Sequence, residues 1–362
     1  MKGLNVRKAA SLTMVAYMIF AFVSSSSAYA EDYAFRLDSE KRSAKEGLGR
    51  SQVPLLVRAP GIGRKSMAKI LIERFKDARR PIATSGTVEK QRKGNRLSYI
   101  GDGWFLDVNG DGTNVRYRNY KYLDSKPELA RPVSARLSND RLEKLGREFI
   151  KENLSEYIKL GKNEELVPFF TEHAIGGGGP AKEGAPMDEE KVYASIVVFT
   201  RAIDKVNVIG AGSKVAIMFN NEGEVVGFDF DWPQYNLTGK YQKVLSVEAI
   251  KERAKRFASK DIHSPDVKIK RFECGLYDAG MLKRDPKAVV QAGCAIHYSE
   301  RKIIDQNAYE RDPNSGHVMT AFVDFIPAGK TVEQDRKWLQ AMMILNQTPK
   351  ILAAPKDGPK SR

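Results

Sequence analysis

The sequence predicts an α+β protein: two units, each a helix packed on a curled antiparallel sheet, behind a smaller basic N-terminal region. Three observations carry this. Residues 201–232 read as a short arm, a glycine corner and a β-hairpin. A well-capped amphipathic helix precedes them, starting at Ser138-Asn139. The order of one helix followed by three strands then recurs from Ser246. A chain of 362 residues is long enough for two or three cores. With 42% hydrophobic and 29% charged residues, it falls outside the disordered and integral-membrane classes.

Residues 1–30 have the form of a secretory signal peptide. Lys2, Arg7 and Lys8 lead an apolar run over 9–23, and Ala28-Tyr29-Ala30 is a small-x-small cleavage site before Glu31. The run is about 15 residues where a bilayer span needs about 20, so cleavage after Ala30 is expected, with retention as an anchor the alternative. A secreted or periplasmic location follows. The formal net charge is +15, and removal of the signal leaves +12, a balance that favours polyanions such as nucleic acid, anionic lipid or envelope polymer.

Residues 31–130 form the basic N-terminal region, expected to hold a helix and a β-hairpin. Gly47, Gly49, Pro54 and Pro60 interrupt any long helix at its start. Residues 60–74 begin with Pro60-Gly61-Ile62-Gly63 and continue as a helix with Met67, Ile70, Leu71 and Phe75 as its apolar stripe. This segment resembles the helix-hairpin-helix DNA-binding motif. The resemblance implies a phosphate held by backbone amides of the Gly61-Ile62-Gly63 turn, with Leu56 in a preceding helix. Met67 departs from the small residue that the motif uses there. An ordinary Pro-Gly turn opening an amphipathic helix accounts for the same residues.

Further on, the runs 104–108 and 115–120 flank Asn109-Gly110-Asp111-Gly112-Thr113, which predicts strand, turn and strand. Asp107, Asn109 and Asp111 also match the opening of a calcium loop. However, Arg118 stands where the bidentate Glu belongs, and no helix pattern flanks the loop.

The first unit spans 137–240. Its helix runs from the Ser138 cap to about residue 160, with Leu142, Leu145, Phe149, Ile150, Leu154, Tyr157 and Ile158 on one face. Strand character follows from Glu164 and again over 192–200. Between them, Gly176 to Gly179 with Pro180, Gly184 and Pro186 form a loop that lacks the Gly-Lys-Ser/Thr of a phosphate cradle. The hairpin pairs 214–219 with 224–230 around Asn220-Asn221-Glu222-Gly223, a turn rich in residues that tolerate positive φ and the expected binding surface. Strict alternation puts Val225, Gly227, Asp229 and Asp231 on one face and Val226, Phe228, Phe230 and Trp232 on the apolar one.

The second unit spans 243–330: a helix from Ser246, then strands near 267–277, 289–299 and 317–326. Cys274 and Cys294, the only cysteines, fall on the first two of these strands. Twenty residues apart in an oxidising compartment, they are expected to form a disulfide that staples adjacent strands; a catalytic or metal-binding pair is the alternative. Residues 331–362 are expected to form a terminal helical piece and a loose Pro- and Lys-rich tail.

The four histidines, His173, His263, His297 and His317, belong to no catalytic or metal-binding spacing. No catalytic residue, cofactor or metal is expected. Arg201, Asp204, Val208, Gly210, Gly212, Val215, Gly223 and Val225 resemble the PepSY and FTP modules of secreted metalloprotease propeptides, over about 137–239 and with an arm one residue shorter than theirs. That resemblance implies a cystatin-like layout, and a non-enzymatic role in binding, inhibiting or regulating a secreted or envelope protein such as a protease. The alternative expectation is an extracytoplasmic DNA-binding protein using the Gly61–Gly63 turn.

Overall fold

In the computed structural model, the residues described are 51–76, 82–84, 88–123, 130–176, 189–253, 268–280, 289–303, 305–312 and 317–329. Residues 1–50, with the expected signal segment among them, residues 177–188, His263 and the tail from 330 onward lie outside them, as do the side chains of His297 and His317.

Most of the described chain is one large mixed sheet, nearly all of it antiparallel. The elements run β1 (Gln52–Arg58), α1 (Arg64–Arg74), β2 (Glu89–Lys93), β3 (Arg96–Gly101), β4 (Trp104–Asn109), β5 (Asn114–Asn119), α2 (Tyr120–Leu123), β6 (Arg131–Pro132) and α3 (Asn139–Phe149). Then follow β7 (Glu164–Gly176), β8 (Lys191–Ile203), β9 (Val206–Ile209), β10 (Lys214–Phe219), β11 (Val225–Asp231) and β12 (Tyr235–Lys243). The chain continues with α4 (residues 247–253), β13 (Lys268–Tyr277), β14 (Gln291–Ile303), α5 (Gln306–Arg311) and β15 (His317–Pro327).

The sheet has 13 strands in the order β15-β14-β13-β9-β8-β10-β11-β5-β4-β3-β2, with β6 and β7 also paired to β8. The link between the C-terminal meander and the rest is short and parallel: Leu276 and Tyr277 of β13 stand beside Val208 and Ile209 of β9. A separate two-stranded ribbon pairs β1 with β12.

Local chemistry explains the elements. Ser138 Oγ accepts from the Arg141 amide and caps α3; the helix ends in a π turn over Ile150–Leu154. Asp204 and Lys205 both take positive φ between β8 and β9, as a two-residue hairpin turn requires. α1 and α3 cover the same side of the sheet. Their buried residues, among them Met67, Leu71, Leu142, Ile150 and Leu154, meet Leu97, Leu106, Tyr117, Val197, Phe199, Ile217, Phe219 and Phe228 in one core. Each such side chain contributes about 1.5–3 kcal/mol by burial. Phe228 sits at its centre, 5.5 Å from Tyr117 and 5.5 Å from Phe75.

Three expectations are corrected. Ile70 is exposed, and Ala68 takes its place in the buried stripe of α1. The segment before the glycine turn is β1, a strand, and Leu56 is buried in it. In the hairpin, Phe219 pairs with Val225 and Met218 with Gly227, so Val226 is an extra bulged residue. The bulge shifts the alternation by one: Val225 packs on the helix-side core, and Val226 packs with Ala194 and Met218 on the other face.

The basic N-terminal region divides between two cores. α1 and β2–β5 build the first. β1 joins a second, where Val53 and Leu56 meet Val208, Ile250, Leu276, Val290, Ala292, Cys294 and Ala328. The disulfide joins Cys274 and Cys294, which stand directly opposite each other on β13 and β14.

Candidate functional site

The polar centre of the protein lies where the glycine corner after β9 wraps around Asp278. The Asp278 amide donates to the Ile209 carbonyl (3.0 Å), and the Gly212 amide donates to the Asp278 carbonyl (3.0 Å). Gly210 has φ of 90°, and a Cβ there would collide with the Asp278 carbonyl, so glycine is required. The Asp278 carboxylate is fully buried. It accepts from Arg58 Nε (3.2 Å) and Nη2 (3.0 Å), from the Tyr235 hydroxyl (2.6 Å) and from the Gly280 amide (3.0 Å). Tyr235 in turn lies 2.8 Å from Ser213 Oγ.

Two more cations complete the cluster. Arg201 has no exposed surface; its guanidinium stacks on Trp232 at 4.1 Å and Tyr235 at 4.8 Å, and Nη1 reaches Glu164 Oε1 at 3.4 Å. Its Nε and Nη2 have no hydrogen-bond partner. Lys214 donates to Thr200 Oγ1 (2.9 Å), the Val208 carbonyl (2.8 Å) and the Gly212 carbonyl (3.3 Å), with its ammonium over the Phe169 ring.

Burial governs the electrostatics. It lowers the Lys214 pKa to about 8, against the pull of Glu273, Asp278 and Asp231. Burial also raises the Tyr235 hydroxyl well above the usual phenol range, and the adjacent Asp278 adds to that. It lowers Arg201 from its ordinary value, with Tyr235 and Glu164 opposing. Ser213, Asp278 and Arg201 are all fully buried. Arg58, Tyr235 and Gly280 answer the Asp278 charge from within, which ties β1, the corner, β12 and the end of β13 together.

A second constellation lies at the start of α3. The His173 ring holds Ser195 Oγ at 2.8 Å through Nδ1 and Asn139 Oδ1 at 3.3 Å through Nε2. With a proton on Nε2, Nδ1 accepts from the serine, which is the wiring of a serine nucleophile, a base and an orienting amide. Burial, with Arg136, lowers the His173 pKa and favours the neutral ring. Ser195 is only 2% exposed, however, so its hydroxyl is shielded from an acyl substrate. The three residues tie β7, β8 and α3 together.

The turn expected to bind phosphate already holds an anion. The Gly61 amide donates to Asp111 Oδ2 at 3.0 Å, and the Gly63 amide donates to the Asp111 carbonyl at 2.7 Å. With β1 before it, the Gly61-Ile62-Gly63 turn lacks the first helix of the DNA-binding motif, and Asp111 occupies the Gly61 and Gly63 amides. The residues of the calcium reading are likewise engaged with partners inside the protein. Asp111 also accepts from Thr113, Asp107 pairs with Arg96 at 2.6 Å, and Asn109 donates to Asn114. Among the described residues no group of three His, Cys, Asp or Glu side chains is placed to hold a metal.

The hairpin turn is also less free than expected. Asn220 and Asn221 are buried: Asn220 Oδ1 accepts from the Glu222 and Glu224 amides, and Asn221 Nδ2 donates to the Val192 carbonyl. Gly223 packs near Leu145, while Glu222 pairs with Arg131 at the surface. Of the four residues only Glu222 offers an exposed charge.

The sequence singled out Arg201, Gly210 and Gly212 but not Arg58, Tyr235 or Asp278, which join them from other parts of the chain. No linear signal marks those three. Among the described residues no helix is long and apolar enough to cross a membrane.

No family model matches the chain, and no curated protein matches it. Among solved structures, the chain is similar to an uncharacterized protein from Eubacterium rectale, with a TM-score of 0.45 and 10% identity, covering 78% of this chain and 87% of that one.

Proposed function

We propose that this chain is an extracytoplasmic, non-enzymatic binding protein whose PepSY-like stretch is scaffold. Its partner would be a secreted or envelope protein, with a protease as the leading class. The observation that carries the reading is the closure of the glycine corner. Arg201, Gly210 and Gly212, the residues of the resemblance, converge on a buried Asp278 whose charge is answered by Arg58 and Tyr235. Such a motif holds a shape and leaves recognition to the outside. The disulfide suits an oxidising compartment. The packing of α3 on β7, β8, β10 and β11 supports a first helix-on-sheet unit of cystatin type, and α4 with β13–β15 supports a second.

The test is capture by the purified protein from the secreted and envelope fractions, followed by titration of any captured protease. The reading expects a protein partner retained at a fixed stoichiometry, with inhibition or stabilisation saturating at that ratio. Recovery of no protein partner, together with turnover of an ester, peptide or envelope polymer, would overturn it.

A further inference from the structure

Two neighbouring segments are dense in basic charge. Residues 61–76 and 89–96 together carry nine basic side chains and two acidic ones. The fold brings these segments side by side. α1 packs Met67, Ala68 and Leu71 into the core that holds Leu97, Leu106 and Val108 of the meander. Lys90 and Arg92 stand opposite Tyr99 and Leu97 in the β2–β3 pair, which puts them on the face that α1 covers. At the N-terminus of α1, Arg64 Nη1 reaches Asn95 Oδ1 in the β2–β3 turn at 3.5 Å. The outer side of α1, the turn and edge strand β2 therefore adjoin as one basic surface. Both acids are engaged locally: Glu73 pairs with Lys76, and Glu89 accepts from Gln91.

This surface is not purely ionic. Ile62, in the turn that leads into α1, is 56% exposed; Ile70 is 38% exposed and lies one turn on from exposed Ser66 along the helix. Lys65 and Lys69 precede Ser66 and Ile70 and are exposed. The opposite side of α1 is anchored in the core, so the helix lies along the surface with Lys65, Lys69 and Ile70 outward and Ile62 exposed in the turn before it. β2 is exposed at every position and rich in cations, which disfavours addition of another strand.

We infer that this surface docks on the anionic face of a phospholipid bilayer. Arg64, Lys65, Lys69, Lys90 and Arg92 meet headgroup phosphates, while Ile62 and Ile70 enter the boundary between headgroups and acyl chains. Exposed aliphatic side chains among lysines gain from an apolar phase, which a nucleic acid does not offer. Nucleic-acid surfaces use aromatic stacking and open backbone amides. Here Tyr99 packs against the core, and the Gly61 and Gly63 amides are occupied by Asp111. This inference stands on its own surface and does not depend on the protein partner proposed above.

Vesicle co-sedimentation of the purified protein tests it, using phosphatidylglycerol–phosphatidylcholine vesicles beside phosphatidylcholine alone, with duplex DNA as a third arm. Binding to the anionic vesicles is expected to exceed binding to the neutral ones by about tenfold or more and to weaken as salt is raised. Lys65→Glu with Lys69→Glu is expected to lower it by about tenfold or more. Ile62→Ser with Ile70→Ser is expected to lower it several-fold while leaving the salt dependence in place. All four positions are exposed, and an unchanged thermal melt would show that each variant is folded. Equal binding to both vesicle types, binding unaffected by the lysine reversals, or tighter binding to duplex DNA than to anionic vesicles would overturn the inference.

Discussion

Arg58 and Asp278 lie 220 positions apart in the chain, yet their side chains meet at 3.0 Å with almost no exposed surface on either. The pair joins the first described strand to the end of β13, and Tyr235 and Gly280 share the same carboxylate. Removing one partner of such a pair leaves a buried charge uncompensated. Asp278→Ala should therefore cost about 3–5 kcal/mol in urea unfolding. Arg58→Met combined with Asp278→Leu should recover part of that loss, because it removes both charges together.

Glu172 gives a pH dependence with a defined sign. It faces Ile196 across the β7–β8 pair, and burial pushes its pKa up to about 7. The folded state thus holds a proton that the unfolded state has released at that pH. Stability from this group is present under acid conditions and is lost as pH rises through about 7. Glu172→Gln should raise stability by about 1–3 kcal/mol at pH 8 and change it little at pH 4, measured by thermal melts at both.

Asp111 is predicted to be structural. Its carboxylate accepts from the Gly61 and Thr113 amides and from the Thr113 hydroxyl. Asp111→Ala should destabilise the protein by about 1–3 kcal/mol in urea. Gly61→Ala should do the same, since a Cβ there collides with the Asp111 carbonyl. Loss of any ligand in a Gly61→Ala variant would then report a disturbed turn, so surface variants are the better probes.

The cross-strand disulfide closes a loop with a sequence separation of 20. Its removal in a Cys274→Ala, Cys294→Ala double variant should lower stability by about 3 kcal/mol. A urea midpoint unchanged from the native protein would contradict that.

Much of the first sheet was legible in the sequence because its signals are local. Ser138 marks a helix start through its own hydroxyl, and Asn220 to Gly223 mark a turn by the φ they tolerate. β1 was not legible: Pro54 reads as a breaker, and the strand's partner β12 lies far along the chain. The bulge at Val226 was hidden too, because strict alternation is the only face rule a lone strand offers, and register is set by the neighbour. At the polar centre, Arg201 and the two glycines were visible as a motif. Their meaning was not, since Asp278 and Arg58 reach them only through the parallel contact of β13 with β9 and the turn after β1. The triple of Asn139, His173 and Ser195 is assembled from three elements and has no linear trace.

That triple offers the sharpest test of the proposal that the chain's inward-facing polar groups hold its shape and do not perform catalysis. The measurement is intact-mass analysis of the folded protein after exposure to a serine-reactive fluorophosphonate, beside His173→Ala. The account predicts no adduct on Ser195 or Ser213 in either protein. A stoichiometric adduct on Ser195 that disappears in His173→Ala would contradict it and establish a serine enzyme.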